Sequence, residues 1–210
     1  MKAGSNCEYG YVMTLVRLSR RAVFGAGAST FLAGLALRGA AADQGLLPAT
    51  PQCRDDDPTP TQTEGPYFTP NSPERANLVE QGMQGERISL AGFVLDRRCR
   101  PVPHALLDLW HADAGGRYDN HGYRLRGHQF ADAQGRFVFE TIVPGLYPGR
   151  TRHYHLKVQA PGRDILTTQL YFPGEPRNAR DGIFDEVLLM DVTQDAAAKI
   201  GRYDFVLDVG

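Results

Sequence analysis

From Arg87 to the C-terminus the sequence runs in short stretches of period two, cut at intervals by turn residues. Arg136–Ile142 sets Phe137, Phe139 and Thr141 against Val138, Glu140 and Ile142. Comparable runs are Arg87–Leu95, Ala105–Trp110, His153–Gln159, Leu166–Phe172, Glu186–Val192 and Tyr203–Val209. Turns such as Asp132-Ala133-Gln134-Gly135 and Ala160-Pro161-Gly162 separate them. A period of two puts successive side chains on opposite faces, so each strand buries one face against a partner layer. Strands in such a series predict an all-β fold, a single β-sandwich. Only Asp195–Gly201 reads as helical. Residues 43–63 are rich in Pro, Thr, Asp and Gln and read as an irregular arm. Glu64-Gly-Pro-Tyr-Phe-Thr-Pro70 follows, with two prolines that forbid helix. The folded domain is therefore expected over 64–210.

The first 42 residues read as an address. Ser19-Arg20-Arg21-Ala22-Val23-Phe24 precedes a weakly apolar Gly/Ala-rich stretch, and Ala40-Ala41-Ala42 ends it as a small-residue cleavage site. That order is a twin-arginine export signal, which predicts a periplasmic or secreted protein. The apolar stretch is too short and too weak for a membrane anchor. Met1 and Met13 both stand as start sites. Export by this route suits a protein that folds around a metal before it crosses. Removal of the leader takes Cys7 and leaves Cys53 and Cys99, a pair expected to form one disulfide in an oxidising compartment. A net charge of -1 argues against nucleic acid as a partner.

Within this frame one constellation carries chemistry. His153 and His155 lie two apart on an expected strand and so project from the same face. Tyr147 precedes them in a Gly-Leu-Tyr-Pro-Gly turn, and Tyr118 follows Gly115-Gly116 in a loop. Two neutral imidazoles and two phenolates form a mixed N/O set for a hard trivalent metal. Fe(III) fits best, because two tyrosinates and a hydroxide balance its charge. His104, His111, His121 and His128 have no neighbour at ligand spacing and read as exposed or hydrogen-bonding residues.

The blocks D-R-R-C-R-P-V-P-H-A-L-L-D-L-W-H-A-D-A-G-G-R-Y, G-R-F-V-F-E-T-I-V-P-G-L-Y-P, R-T-R-H-Y-H-L-K-V and T-T-Q-L-Y-F-P-G resemble, in order and composition, the intradiol ring-cleavage dioxygenases. That family includes the protocatechuate 3,4- and catechol 1,2-dioxygenases. The resemblance begins at Glu64-Gly-Pro-Tyr-Phe68 and implies a prealbumin-like sandwich. It also implies a non-haem Fe(III) bound by Tyr118, Tyr147, His153 and His155, with Tyr118 the retained and Tyr147 the departing tyrosine. Tyr154 stands where the family usually has isoleucine. Arg150 matches the active-site arginine and Gln169 a glutamine near the substrate. A shortened stretch between Tyr147 and His153 leaves Arg150 and Arg152 as competitors for the arginine's role. The implied reaction is cleavage of a catechol between its hydroxylated carbons by O2, giving a cis,cis-muconate-type product. The helical dimerisation segment of the catechol 1,2-dioxygenases has no counterpart in residues 43–63, so a homo-oligomer stays open. Two competing readings have different signatures. A catalytically inactive exported binding module would lack the red colour of tyrosinate bound to Fe(III). A hydrolytic zinc enzyme would need a carboxylate beside the two histidines.

Overall fold

The computed structural model describes residues 57–194 and 199–209. Nine strands form two sheets: β1 Arg87–Asp96, β2 Leu106–Trp110, β3 Arg126–Phe130, β4 Arg136–Ile142, β5 His153–Gln159, β6 Ile165–Tyr171, β7 Asp191–Gln194, β8 Lys199–Arg202 and β9 Phe205–Leu207. One sheet runs β4-β1-β8-β7, with β9 also paired to β1, and the other runs β3-β2-β5-β6. The only helical turns described are two short 3-10 segments, Asn178–Arg180 and Glu186–Leu188. The expected all-β sandwich is the architecture observed.

Alternation builds the core. Phe137 and Phe139 of β4 meet Leu107 and Leu109 of β2, Tyr154, Leu156 and Val158 of β5, and Leu170 of β6 within one buried cluster. Tyr154, at the position noted for isoleucine, buries its ring completely and donates its hydroxyl proton to the Ile142 carbonyl at 2.9 Å. The same strand must then turn His153, His155 and Lys157 to the outer face.

One expected strand and one expected helix are corrected, and one further strand is added. Glu186–Val192 is not one strand. Asp185 caps a 3-10 turn over Glu186–Leu188 by accepting from the Val187 N–H, and pairing starts only at Asp191. The helix expected over Asp195–Gly201 is contradicted where described, because Lys199–Arg202 is a strand lying parallel to β1. Residues 195–198 lie outside the described residues. Docking between β1 and β7 outweighs the local helix preference. Finally, β3 was not expected at all. Arg-Gly-His-Gln-Phe has no apolar alternation, yet it pairs with β2 along its whole length.

The described part of the arm, residues 57–63, contributes to the sandwich without forming a strand. The Thr59 N–H donates to the Val206 carbonyl, Gln62 N–H to Thr167, and the Thr168 hydroxyl to Pro60. Cys99 is disulfide-bonded, and both other cysteines of the chain, including the expected partner Cys53, lie outside the described residues.

Phe139 is fully buried between the sheets. Phe139→Ala should cost about 3–5 kcal/mol, read as a lower urea midpoint at unchanged m-value. His111 is also buried. It donates Nδ1–H to the Ala112 carbonyl at 2.8 Å and accepts from the Thr141 hydroxyl at 2.7 Å. Burial pushes its pKa from 6.5 down to about 4. The unfolded chain therefore binds a proton at a pH where the folded protein does not. His111 contributes stability above about pH 6.5 that is lost as pH falls toward about 4, at most about 3 kcal/mol. Urea titrations across this window should show a shallower pH slope for His111→Asn than for the parent.

Candidate metal centre

The outward face of β5 is exposed in topology but not in fact. His153 and His155 are each only 4% accessible, because the segment after the arm folds over them. Gly65, with φ +71°, lies so close that a Cβ there would stand 3.3 Å from the His155 ring. Phe68 packs on Trp110 with ring centres 4.8 Å apart, and Lys157 caps the Phe68 ring at 4.3 Å while pairing with Glu64. Trp110 in turn stacks on His155, with ring centres 5.0 Å apart and planes 8° from parallel.

Two loops bring the tyrosines. The loop carrying Tyr118 leaves β2, and the loop carrying Tyr147 leads into β5. They meet backbone to backbone. Gly145 N–H donates to the Asp113 carbonyl at 2.8 Å. A Cβ on Gly145 would fall 2.3 Å from the Gly116 nitrogen, so no larger residue fits without parting the loops.

Three of the four expected ligand atoms converge. His153 Nε2 lies 3.1 Å from His155 Nε2 and 3.3 Å from the Tyr118 hydroxyl. The Tyr147 ring joins the group edge-on, 5.9 Å from that of Tyr118, but its hydroxyl is 2.8 Å from the hydroxyl of Tyr67. Tyr67 also stacks on Tyr118 at 4.6 Å. Tyr67 belongs to Glu64-Gly-Pro-Tyr-Phe68, where the sequence indicates no role for it. The signal was its place beside Gly65-Pro66, a turn held against the histidines. Arg150 and Gln169 are also together, with Nη2 donating to Oε1 at 2.8 Å. Arg152 is drawn elsewhere, to Glu175 at 2.7 Å and to the Pro144 carbonyl. Of the two competitors, the geometry puts Arg150 beside Gln169. Among the other histidines, His104 and His121 are exposed, His111 and His128 are hydrogen-bonded, and none joins the cluster.

The electrostatics suit neutral nitrogen donors. Burial lowers His153 to about 4, against an opposing hydrogen bond from Nδ1–H to the Thr151 carbonyl at 2.7 Å. That bond fixes the proton on Nδ1 and leaves Nε2 with a bare lone pair. Burial also holds His155 well below 6.5, aided by His153 and Arg150. Its Nδ1 is buried without a hydrogen-bond partner among the described residues. Burial raises the Tyr118 phenol, with Arg150 and Arg126 opposing. A bare imidazole nitrogen, a second imidazole and a half-buried phenol facing one point are a poor apolar packing and a good cation cage, so the donor set fits a metal ion. No third His, Cys, Asp or Glu joins the two histidines among the described residues, so a carboxylate-assisted zinc centre is not built here.

A family model described as a dioxygenase matches residues 63–209. The dioxygenase domain of a dioxygenase–carbohydrate-binding protein fusion from Streptomyces sp. SirexAA-E is 57% identical, with TM-score 0.72, covering 73% of this chain and 100% of that one. The protocatechuate 3,4-dioxygenase beta chain of Burkholderia cepacia is 35% identical over 161 residues, 62% of this chain and 68% of that one. A hydroxyquinol 1,2-dioxygenase of Nocardioides simplex is 30% identical over 152 residues, 61% of this chain and 52% of that relative. The chain thus spans about half the length of the hydroxyquinol enzyme.

Gly145→Ala should part the two tyrosine loops. The expected result is a loss of about 1–3 kcal/mol in chemical denaturation together with a changed near-UV tyrosine circular dichroism spectrum. An unchanged spectrum would mean that the loops do not depend on this approach.

Proposed function

The chain belongs to the intradiol dioxygenase family, and we propose that it cleaves a catechol-type ring between the two hydroxylated carbons with O2, giving a cis,cis-muconate-type product. The observation that carries this reading is the convergence of His153, His155 and Tyr118 at 3.1 and 3.3 Å, with the Tyr147 ring alongside. These four residues would hold a non-haem Fe(III). Ferric iron held there would supply Lewis acidity, which would lower the pKa of phenols and make a catechol more reactive toward O2.

The chain's own residues do the rest. His153 and His155 offer neutral nitrogens and anchor the site from a rigid strand. Tyr118 is half-buried and stacked on Tyr67, which suits a retained ligand. Tyr147 sits in a loop and has a second partner in the Tyr67 hydroxyl, which suits a ligand that departs and takes a proton from the incoming catechol. Tyr67 then receives the resulting phenol. Arg150 carries a fixed positive charge beside the site, placed to stabilise negative charge on the ring during attack by oxygen. Gln169 holds that guanidinium and is itself tied to the Thr63 carbonyl at 2.9 Å. The segment Glu64–Phe68 excludes water from the histidine side.

Oxygen uptake by the purified, iron-loaded protein against catechol, protocatechuate and hydroxyquinol tests the reaction. The expected outcome is stoichiometric O2 consumption and a ring-opened dicarboxylate. His153→Ala and His155→Ala should each abolish both iron retention and turnover. Tyr147→Phe should keep iron and a shifted red absorption while slowing turnover by about 10²–10⁴-fold, the usual weight of a lost proton acceptor. Iron content and ring cleavage surviving all three changes would place the chemistry elsewhere.

We also propose, from the sequence alone, that Arg20 and Arg21 direct export of the folded protein. Replacing both with Lys should leave uncleaved precursor in the cytoplasm, seen by fractionation and immunoblotting.

A further inference from the structure

Asp181 lies outside every motif that marks the site, in the loop that closes the 3-10 turn Asn178–Arg180. Its side chain is 2% accessible. One carboxylate oxygen, Oδ2, accepts from Arg150 Nε at 2.8 Å and from the Thr151 N–H at 2.9 Å. The other, Oδ1, accepts from the Ile183 N–H at 3.2 Å. Each of these partners leads back to the site. Arg150 Nη2 donates to Gln169 Oε1. The Thr151 carbonyl accepts the hydrogen bond from His153 Nδ1–H. The Ile183 carbonyl accepts from the Tyr171 hydroxyl at 3.0 Å, and Tyr171 stands 3.2 Å from Gln169 Oε1. Arg150 Nη2 also donates to the Tyr171 hydroxyl at 3.5 Å, so a ring of hydrogen bonds runs Asp181–Arg150–Tyr171–Ile183 and back, with Gln169 Oε1 accepting from Arg150 beside it.

The geometry points to Asp181 as a positioning residue that sets the Arg150 guanidinium relative to His153 by holding the arginine and the next backbone N–H on one carboxylate oxygen. This rests on the reading of Arg150 and His153 as site residues given above. The physical case is the rigidity of the arrangement. A free arginine spreads over many rotamers, and ordering it costs conformational entropy at each encounter. Fixing Nε and Nη2 on two buried acceptors removes that cost in advance, so the charge is in place before the ring becomes electron-rich. A charge-assisted pair between a guanidinium and a carboxylate is the strongest neutral-pH means of doing so with side chains. No sequence motif marks this role. Asp181 is 31 residues from Arg150 in the chain, and no periodicity joins the two positions.

The test is a double-mutant cycle with a second readout that needs no turnover. Asp181→Asn removes the charge at nearly constant shape, and Asp181→Ala removes the acceptors, with thermal unfolding of each followed to show that it folds. In the iron-loaded protein, Asp181→Asn should keep full iron and its visible band and lower kcat by about 10- to 100-fold, the usual weight of a residue that orients a site group. KM for catechol should move by less than about threefold. In an Arg150→Ala background, Asp181→Asn should cost no more than about twofold further, because the two act as one unit. Independently, proton exchange at Arg150 Nε–H is followed by NMR in the metal-free protein, assigned by its loss in Arg150→Lys. It should be slow in the parent and fast in both Asp181 variants. Unchanged exchange, or costs that multiply across the cycle, would overturn the role. A parent protein with slow exchange and no ring cleavage would leave the positioning intact and refute the proposed reaction.

Discussion

The burial of two imidazoles on the outer face of β5 is the constraint around which the molecule is arranged. Tyr154, Leu156 and Val158 must face the core, and a period of two leaves His153 and His155 no choice but the opposite side. An outer face of a sheet is ordinarily wet. Here the segment from Glu64 to Phe68 lies across it, with Gly65 against His155 and Phe68 against Trp110. That cover changes the histidines from ordinary surface bases into neutral donors whose protonation is opposed by desolvation.

The site is built from elements of unequal stiffness. The histidines stand on a strand paired on both sides, by β2 and by β6. The tyrosines stand on loops that are fixed to each other at Gly116 and Gly145. Tyr118 is held further by stacking on Tyr67, whereas Tyr147 exchanges an alternative hydrogen bond with the same residue. Under the proposed reaction, a pair of imidazoles on a strand, one phenol held by stacking and one phenol with a second hydrogen-bond partner would let the site keep its ion while it admits a chelating substrate.

Polar groups around this centre are connected to one another and to the fold. Arg150 reaches Gln169 and Asp181, and Gln169 reaches the arm at Thr63. Burial raises the Asp181 carboxyl, but the Thr151 N–H and Arg150 outweigh it and hold it below the ordinary carboxylate range. The pair is worth little as stability when weighed against an apolar replacement, and its value lies in direction. Arg152 shows the contrast two residues later, spent on Glu175 and the Pro144 carbonyl at the edge of the site.

Much of this was legible in the chain. Alternation gave β4 and β5 to the residue and placed the other long strands to within one or two positions, because local periodicity and buried face coincide there. The same logic set His153 and His155 on one face. It failed for β3 and β8, whose strand character comes from neighbours already in the sheet and not from their own residues. The sequence by itself determined the fold class, the strand that carries the histidines and the loops that carry the tyrosines. Only the tertiary structure decided that Tyr67 is the partner of both tyrosines, that Arg150 and not Arg152 lies beside Gln169, and that Asp181 holds it. The reason is one of range. Periodicity is a property of adjacent residues, whereas these contacts join positions 19 to 80 residues apart, whose meeting is fixed by how the sheets and loops pack.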